Sequence, residues 1–224
     1  MALPQKAHYY TPEEYLAFER AADTKHEYID GQIYAMAGGS PLHNQICFNL
    51  IGETHPQLKG TTCIGYTSDQ KIRTDPTDLF SYPDLTIVCG KPVFHDKQKD
   101  VILNPKVIIE VLSPKTEDYD RSQKLTRYQA IKSLSDYILI SQDRPCVEHF
   151  VRQKGKRQWL FTIETEMKAE IFIASINCKL KLADIYDRVV FPPSKPPFAV
   201  VEKEAVLQSK KPRRKKRGNG RVKN

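Results

Sequence analysis

The sequence has no long apolar run. None of its hydrophobic segments approaches the roughly 18 residues that a membrane-spanning helix needs, although 40% of the 224 residues are hydrophobic. Its first residues, MALPQKAHYY, also lack the apolar centre of a secretion signal. We therefore expect a soluble, cytoplasmic protein built around one hydrophobic core.

Cysteine is scarce, and its spacing matches no metal or redox motif. The five cysteines are scattered without a CxxC pair, at Cys47, Cys63, Cys89, Cys146 and Cys178. This pattern indicates neither a disulfide framework nor a zinc knuckle, so we interpret the cysteines as small core hydrophobes. The sequence also lacks P-loop, HExxH and GxSxG patterns, which argues against several common enzyme classes.

Positive charge is concentrated near the C-terminal end. The net charge is +8, but residues 209–224 hold nine Lys and Arg and no acid, which leaves 26 basic and 27 acidic residues elsewhere. Such a segment buries too little apolar surface to order itself, and its charge suits contact with nucleic-acid phosphates. The alternative is a solubilising terminus. The residues predicted to bind nucleic acid are Lys210, Lys211, Arg213, Arg214, Lys215, Lys216 and Arg217.

The order of predicted elements indicates one mixed α/β domain over residues 1–192, followed by a flexible linker and basic tail over 193–224. Thr11-Pro12-Glu13-Glu14 has the composition of a helix start with a capping box. Asp30-Gly31 predicts a hairpin turn. Ser40-Pro41 starts a second helix, which we expect Pro56 to interrupt.

Later segments alternate between strand and helix patterns. A charged helix is predicted at about 117–133. Strands are predicted at about 62–73, 83–89, 107–112 and 137–140, and again between 146 and 187.

Two carboxylates lie in predicted buried strands. Glu110 is near the centre of the apolar run 107–112, and Asp84 enters the preceding apolar strand directly after a proline. An unpaired buried carboxylate costs several kcal/mol. If the two strands pair, the side chains lie close together, and a shared cation is the simplest way to keep both ionised. Oxygen ligands favour Mg²⁺ or Mn²⁺ over zinc.

The predicted helix after Glu110 carries a complementary charge. Asp120, Lys124 and Tyr128 recur at i, i+4 and i+8, so they share one stripe of that helix. If the helix packs back over the strand, the Lys124 ammonium reaches toward the carboxylates. The alternative is an ordinary surface pair between Asp120 and Lys124, worth a few tenths of a kcal/mol.

Several motifs in combination resemble one protein family. YPDLTIVCG, NPKVIIEVLSPKTEDYDRSQKLTRYQ, HEYIDGQIYAMAGGSPLHNQI and SDYILISQ resemble the Uma-two family of restriction endonucleases, within the PD-(D/E)XK nuclease superfamily. The resemblance covers residues 9–190 and omits the basic tail. It implies a restriction-endonuclease-like α/β (α+β) core, with a mixed central sheet flanked by helices and extra N- and C-terminal strands.

The resemblance also implies a metal site. In the superfamily the Asp of the PD motif, the acid of the next strand and a backbone carbonyl beside that acid hold magnesium; the matching positions are Asp84, Glu110 and Val111. The superfamily lysine lies two residues after the second acid, where this chain has Leu112. The family resembled here moves the lysine to the following helix, which points to Lys124, with Lys115 as a less favoured substitute.

Three further residues are accessory candidates. The family resemblance implies that Glu27 is an extra acid near the metal. An exposed position in the hairpin, with no role in the site, accounts for this glutamate equally well. His43, early in the second helix, is placed to face the same cleft, although polar first-turn residues are common without a function. Tyr128 is placed to contact a phosphate, or simply to pack in the core.

The implied activity is hydrolysis of DNA phosphodiester bonds by a Mg²⁺- or Mn²⁺-dependent endonuclease that uses Asp84, Glu110 and Lys124. The alternative is a catalytically silent nucleic-acid-binding or scaffold protein that keeps the nuclease fold. RNA remains open as a substrate, since nothing in the sequence reads the 2′-hydroxyl. Cutting both strands of a duplex favours a homodimer.

Overall fold

The structure is a computed structural model that describes residues 8–75, 78–114 and 116–193. The predicted tail residues from Lys210 to Arg217, and Lys115, lie outside the described residues. The helices are α1 (Pro12–Ala21), α2 (Pro41–Leu58), α3 (Glu117–Tyr119), α4 (Leu125–Tyr128) and α5 (Leu182–Ile185), with a π-helical turn (Asp120–Lys124) between α3 and α4. The strands are β1 (His26–Ile29), β2 (Gln32–Ala35), β3 (Cys63–Thr67), β4 (Lys71–Thr74), β5 (Leu79–Ser81), β6 (Leu85–Cys89), β7 (Val101–Ile102), β8 (Val107–Leu112), β9 (Asp136–Ser141), β10 (Val147–Arg152), β11 (Trp159–Glu164), β12 (Glu170–Ile173) and β13 (Cys178–Lys181).

A mixed six-stranded sheet forms the centre of the fold. Its strand order is β11-β10-β9-β8-β6-β3, with β8 and β9 parallel and the other neighbours antiparallel. Strand β8 therefore has a paired neighbour on both sides, and all six of its residues are buried. This confirms the predicted mixed sheet and places the Glu110 strand at the core of the molecule.

Different elements cover the two faces of the central sheet. Helices α2 and α5 and the β12–β13 hairpin pack on one face, where Ile46 and Leu50 of α2 are fully buried. The other face packs against residues of a five-stranded sheet, of order β2-β1-β5-β4-β7, and against the segment after β8. The central sheet is thus enclosed between two layers, as expected for strands with near-continuous apolar sequences.

The N-terminal helix and hairpin form as their sequences predict. The Thr11 hydroxyl accepts a hydrogen bond from the Glu14 amide, and the Glu14 carboxylate accepts one from the Thr11 amide. In the turn between β1 and β2, Asp30 and Gly31 both have positive φ, of 48° and 83°. These are the torsions that an Asp-Gly hairpin turn requires.

The Thr11 cap yields a test of the fold. We expect Thr11→Ala to lower the free energy of unfolding by about 1 kcal/mol, because the Glu14 amide at the start of α1 loses its side-chain acceptor. Thr11→Ser keeps the hydroxyl and should remain close to the parent in a urea denaturation series. Equal destabilisation by both substitutions would contradict the capping role.

Three predicted boundaries are wrong. The strand expected at 62–73 is two strands in different sheets, because a turn closed by the Gln70 amide and the Thr67 carbonyl separates β3 from β4. Helix α2 continues past Pro56 to Leu58, since a proline in the last turn removes a single backbone hydrogen bond. The helix expected at about 117–133 ends at Tyr128 and contains the π-helical turn.

The interpretation of the cysteines is correct only in part. Cys146 and Cys178 are buried, as expected of small core residues. Cys63 and Cys89, however, form a disulfide, because the antiparallel register of β3 and β6 places them directly opposite each other. Their separation of 26 residues hides this proximity in the sequence. Among the described residues, no helix combines the length and apolar character needed to cross a bilayer.

Candidate functional site

Glu110 lies at the centre of the candidate site because of its position in β8. Alternate residues of this strand contribute to opposite hydrophobic clusters: Val107, Ile109 and Val111 face α2, whereas Ile108 and Leu112 face the other layer. Strand alternation therefore directs Glu110 away from α2, toward the segment that follows β8. The residue is only 6% exposed, so its carboxylate depends on partners from that segment.

Lys124 supplies the positive charge that the sequence predicted. Its ammonium Nζ lies 2.9 Å from Glu110 Oε1, 3.2 Å from Glu27 Oε1 and 3.5 Å from Asp120 Oδ1. The π-helical turn ends at Lys124, and such turns recur at functional sites in helices. Leu112, at the usual superfamily lysine position, is instead packed in the core. The displaced lysine thus reaches Glu110 from the helical segment.

Tyr128 orients the Glu110 carboxylate from the next turn. Its hydroxyl donates to Glu110 Oε1 at 2.9 Å and lies 2.9 Å from Ser81 Oγ. The ring is fully buried and packs edge-on against Tyr137. Tyr128 therefore contacts the acid itself and belongs both to the core and to the site.

Carboxylates outnumber ammonium groups in this cluster. Burial raises the pKa of Glu110 to about 8, an effect that Lys124 opposes and that Asp120, Asp84 and Glu27 reinforce. Burial likewise raises the pKa of Asp120. Burial alone would lower the pKa of Lys124, but Glu110 and Glu27 outweigh it and raise that pKa well above its ordinary value. The cluster therefore carries surplus negative charge when its acids ionise.

Asp84 is held at the start of β6 by one backbone and one side-chain contact. Its Oδ2 accepts a 2.7 Å hydrogen bond from the Val111 amide, and its Oδ1 lies 2.9 Å from His43 Nε2. Burial lowers the pKa of His43, but the hydrogen bond and charge of Asp84 outweigh it, so that pKa is raised. Val111 thus contributes its amide to the cluster, beside the carbonyl that the family resemblance assigns to the metal.

Strand pairing makes Asp84 and Glu110 neighbours. Leu85 pairs with Ile109, so the next positions across the two strands are Asp84 and Glu110. Their side-chain contacts nevertheless differ: Asp84 meets His43 of α2, whereas Glu110 meets Lys124 and Tyr128 of the segment after β8. The charge of Asp84 nevertheless raises the pKa of Glu110, so the two acids influence each other electrostatically.

One further residue of the site was missed by sequence reasoning. The thiol, imidazole and carboxylate ligand atoms of Cys47, His43 and Asp84 all lie within 4.8 Å of one another. Burial raises the pKa of Cys47, and the Asp84 and Glu110 carboxylates add to this effect. The spacing of His43 and Cys47, at i and i+4 on α2, was the available signal, because it puts both side chains on one face.

The Tyr128 hydroxyl provides a second test of the structure. We expect Tyr128→Phe to lower the free energy of unfolding by about 1–3 kcal/mol, because buried Glu110 and Ser81 are both left without this partner. Tyr34→Phe is the matched control, since Tyr34 is 52% exposed. A urea denaturation series in which both variants match the parent would contradict the proposed orienting contact.

Comparison with known proteins places the chain in a family. A family model described as "Putative restriction endonuclease", Uma2, matches residues 12–177. Two uncharacterized Synechocystis proteins are similar in sequence: sll1609 is 35% identical over 161 residues, covering 72% of this chain and 90% of the relative, and slr1290 is 41% identical over 181 residues, covering 81% and 93%.

A solved structure shares the fold. The crystal structure of "a putative nuclease belonging to DUF820" from Anabaena variabilis superposes with a TM-score of 0.66 at 16% identity, covering 80% of this chain and 98% of the other. That likeness agrees with the mixed sheet and its flanking helices. The extent of the family match and the identity to both Synechocystis proteins show that this chain belongs to the Uma2 family.

Proposed function

We propose that the protein is a divalent-metal-dependent endonuclease that hydrolyses DNA phosphodiester bonds at the Asp84–Glu110 site. Membership of the Uma2 family supports a nuclease-like function in general. The observation that carries the specific proposal is the 2.9 Å contact between Lys124 Nζ and Glu110 Oε1. It supplies a lysine beside the second acid although the usual sequence position holds Leu112.

The donor set suits a divalent cation. Asp84, Glu27 and Asp120 all act electrostatically on the buried Glu110 carboxyl, and Lys124 opposes their effect. A divalent ion would offset the remainder, and Asp84, Glu110 and the Val111 carbonyl are the groups we assign to hold Mg²⁺ or Mn²⁺. When bound, such an ion supplies Lewis-acid polarisation of a phosphoryl oxygen and increases the acidity of water.

The protein's own groups prepare the site for an anionic substrate. The Val111 amide and His43 hold the Asp84 carboxylate from two directions, and Tyr128 orients Glu110. The Lys124 ammonium is positioned to stabilise negative charge that develops on the phosphate in the transition state. Glu27 limits the mobility of Lys124 through its 3.2 Å ion pair.

A plasmid assay tests this activity directly. The full chain, freed of metal with chelator, is incubated with supercoiled plasmid and either Mg²⁺ or Mn²⁺. Nicking that requires the added ion is expected, and a single-stranded RNA substrate in parallel distinguishes RNA from DNA. Binding to plasmid that needs no metal and produces no nicks would instead support the catalytically silent nucleic-acid-binding protein.

The basic tail is proposed as an electrostatic anchor for the substrate. Several arginines near the site are already paired with acids, such as Arg121 with Glu148 and Arg127 with Asp30. Truncation after Ser194 removes nine Lys and Arg of residues 209–224. We expect the truncated protein to show a shallower slope in a plot of log binding constant against log salt concentration, by about 0.9 for each phosphate that the tail neutralises. Single-turnover cleavage should persist. An unchanged slope, measured by fluorescence anisotropy, would contradict the anchor.

We further propose that the active form is a homodimer. Two sites related by a two-fold axis would face the two strands of a duplex, an arrangement that favours double-strand cleavage. Sedimentation of the full chain with and without a short DNA duplex tests this. A monomer in both conditions that still linearises plasmid would overturn it.

A further inference from the structure

We propose that His43, Cys47 and Asp84 together bind a borderline transition-metal ion such as Zn²⁺ or Co²⁺. The inference deepens the proposed function and rests on it in one respect, because Asp84 is shared with the site assigned above to Mg²⁺ or Mn²⁺. It adds a nitrogen and a sulfur donor to a site whose acids otherwise offer oxygen alone. The His43, Cys47 and Asp84 donors therefore favour a different class of metal from the all-oxygen donors of Asp84, Glu110 and Val111.

The geometry brings the three donors together. His43 and Cys47 are one helical turn apart on α2, and their ligand atoms and the Asp84 carboxylate lie within 4.8 Å of one another. The 2.9 Å distance between His43 Nε2 and Asp84 Oδ1 shows that the imidazole and carboxylate already face each other. An ion between these atoms would require small side-chain movements.

The surroundings hold each donor in place. Helix α2 begins at an N-cap in which Ser40 Oγ accepts from the His43 amide at 3.1 Å, which fixes the turn that carries the imidazole. Ile46 and Leu50, fully buried against the central sheet, fix the helix on either side of Cys47. Asp84 is oriented by the Val111 amide. Preorganisation of this kind favours metal binding because little conformational entropy is lost.

The chemistry of the donors selects the ion. Thiolate is a soft ligand that Mg²⁺ and Ca²⁺ disfavour, whereas imidazole and thiolate both suit Zn²⁺ and Co²⁺. Three protein ligands is also the number found in catalytic zinc sites, where the remaining position takes water or substrate. Binding converts the Cys47 thiol to a thiolate and releases its proton to solvent, with no change in oxidation state.

Cobalt spectroscopy tests the assignment without relying on activity. The chelator-treated full chain is titrated with Co²⁺ while thiolate-to-cobalt charge-transfer absorption is recorded in the near ultraviolet. The parent and Cys146→Ser, a matched control at a buried cysteine outside the cluster, should both develop this band. Cys47→Ser should lose it. Absence of the band from the parent, or its persistence in Cys47→Ser, overturns the proposal.

A second measurement reports on the imidazole. In competition with a chromophoric chelator, His43→Gln should bind Zn²⁺ at least about tenfold more weakly than the parent. Unchanged Zn²⁺ affinity in this variant, with circular dichroism showing an intact fold, also overturns the three-donor site. The Co²⁺ spectrum of the parent protein requires no substitution. A parent without the cobalt–thiolate band therefore overturns the proposal even if a variant fails to fold.

The two proposals fail separately. Nicking supported by Mg²⁺ in a protein that shows no cobalt–thiolate band leaves the endonuclease standing and overturns the three-donor site. A cobalt–thiolate band in a protein that nicks no plasmid with any tested ion supports the three-donor site and counts against the endonuclease.

Discussion

Asp84→Asn and Glu110→Gln are each expected to reduce plasmid nicking by at least about 100-fold, the scale on which removal of one preorganised electrostatic group acts. Both substitutions keep the shape of the side chain and remove the charge assigned to hold the metal. The Val111 amide and the Tyr128 hydroxyl, which donate to the two acids, can still donate to the amide oxygens that replace them. The measurement is the initial nicking rate at saturating Mg²⁺.

The control for this pair is Asp118→Asn. Asp118 is an exposed carboxylate in α3, close in sequence to the cluster but on the solvent side. Its substitution should leave the nicking rate within about twofold of the parent, since exposed charges are strongly screened. An Asp84 or Glu110 variant that nicks plasmid as fast as Asp118→Asn would remove these acids from the active site.

Lys124→Met is expected to lower the free energy of unfolding at pH 8 by about 3–5 kcal/mol, the usual cost of removing one partner from a buried ion pair. Lys124 is buried and contacts Glu27, Glu110 and Asp120, so its replacement leaves three carboxylates without their shared counter-charge. Methionine has a similar volume, and the change therefore reports mainly on charge. Urea denaturation in the presence of chelator measures it.

The loss in free energy of unfolding caused by Lys124→Met should depend on pH. Lys124 lowers the pKa of Glu110 and of Asp120, so its removal raises both pKa values further above those of the unfolded chain. A carboxyl whose folded pKa is raised binds its proton more tightly in the folded state, and stability then falls as pH rises through that window. The destabilisation by Lys124→Met should thus be smaller at pH 5 than at pH 8.

Lys132→Met is the matched control, since Lys132 is exposed. It should change stability by less than about 0.5 kcal/mol at either pH, as surface substitutions usually do. Added Mg²⁺ or Mn²⁺ should recover part of the stability of Lys124→Met, because the ion replaces the missing positive charge. A deficit that is identical at pH 5 and pH 8 would contradict the charge-based explanation.

Much of the fold was predictable because local chemistry determined it. The Thr11 capping box and the Asp30-Gly31 turn depend on a few adjacent residues, and both form as predicted. The buried strand containing Glu110 was identified from its apolar run and flanking prolines. The pairing of β6 with β8, which the sequence left as a condition, is present although residues 90–106 and strand β7 lie between them.

Other features depend on pairings that no local pattern specifies. The break between β3 and β4 arises because each strand joins a different sheet. Cys63 and Cys89 meet through the register of β3 with β6, and Cys47 meets Asp84 because α2 packs on the central sheet. The π-helical turn before α4 also went unpredicted, since its sequence has no helix-breaking residue.

The sequence by itself determined the types of group in the site, because a carboxylate in an apolar strand must have a partner and a lysine one helix away can be that partner. Only the tertiary structure decided which groups meet. Sheet register made Asp84 and Glu110 neighbours. Packing of the helical segments against the central sheet brought His43 to Asp84 and Lys124 to Glu110. Contacts between residues distant in sequence arise from the packing of whole elements. The sequence pattern around each residue does not indicate which partner it will meet.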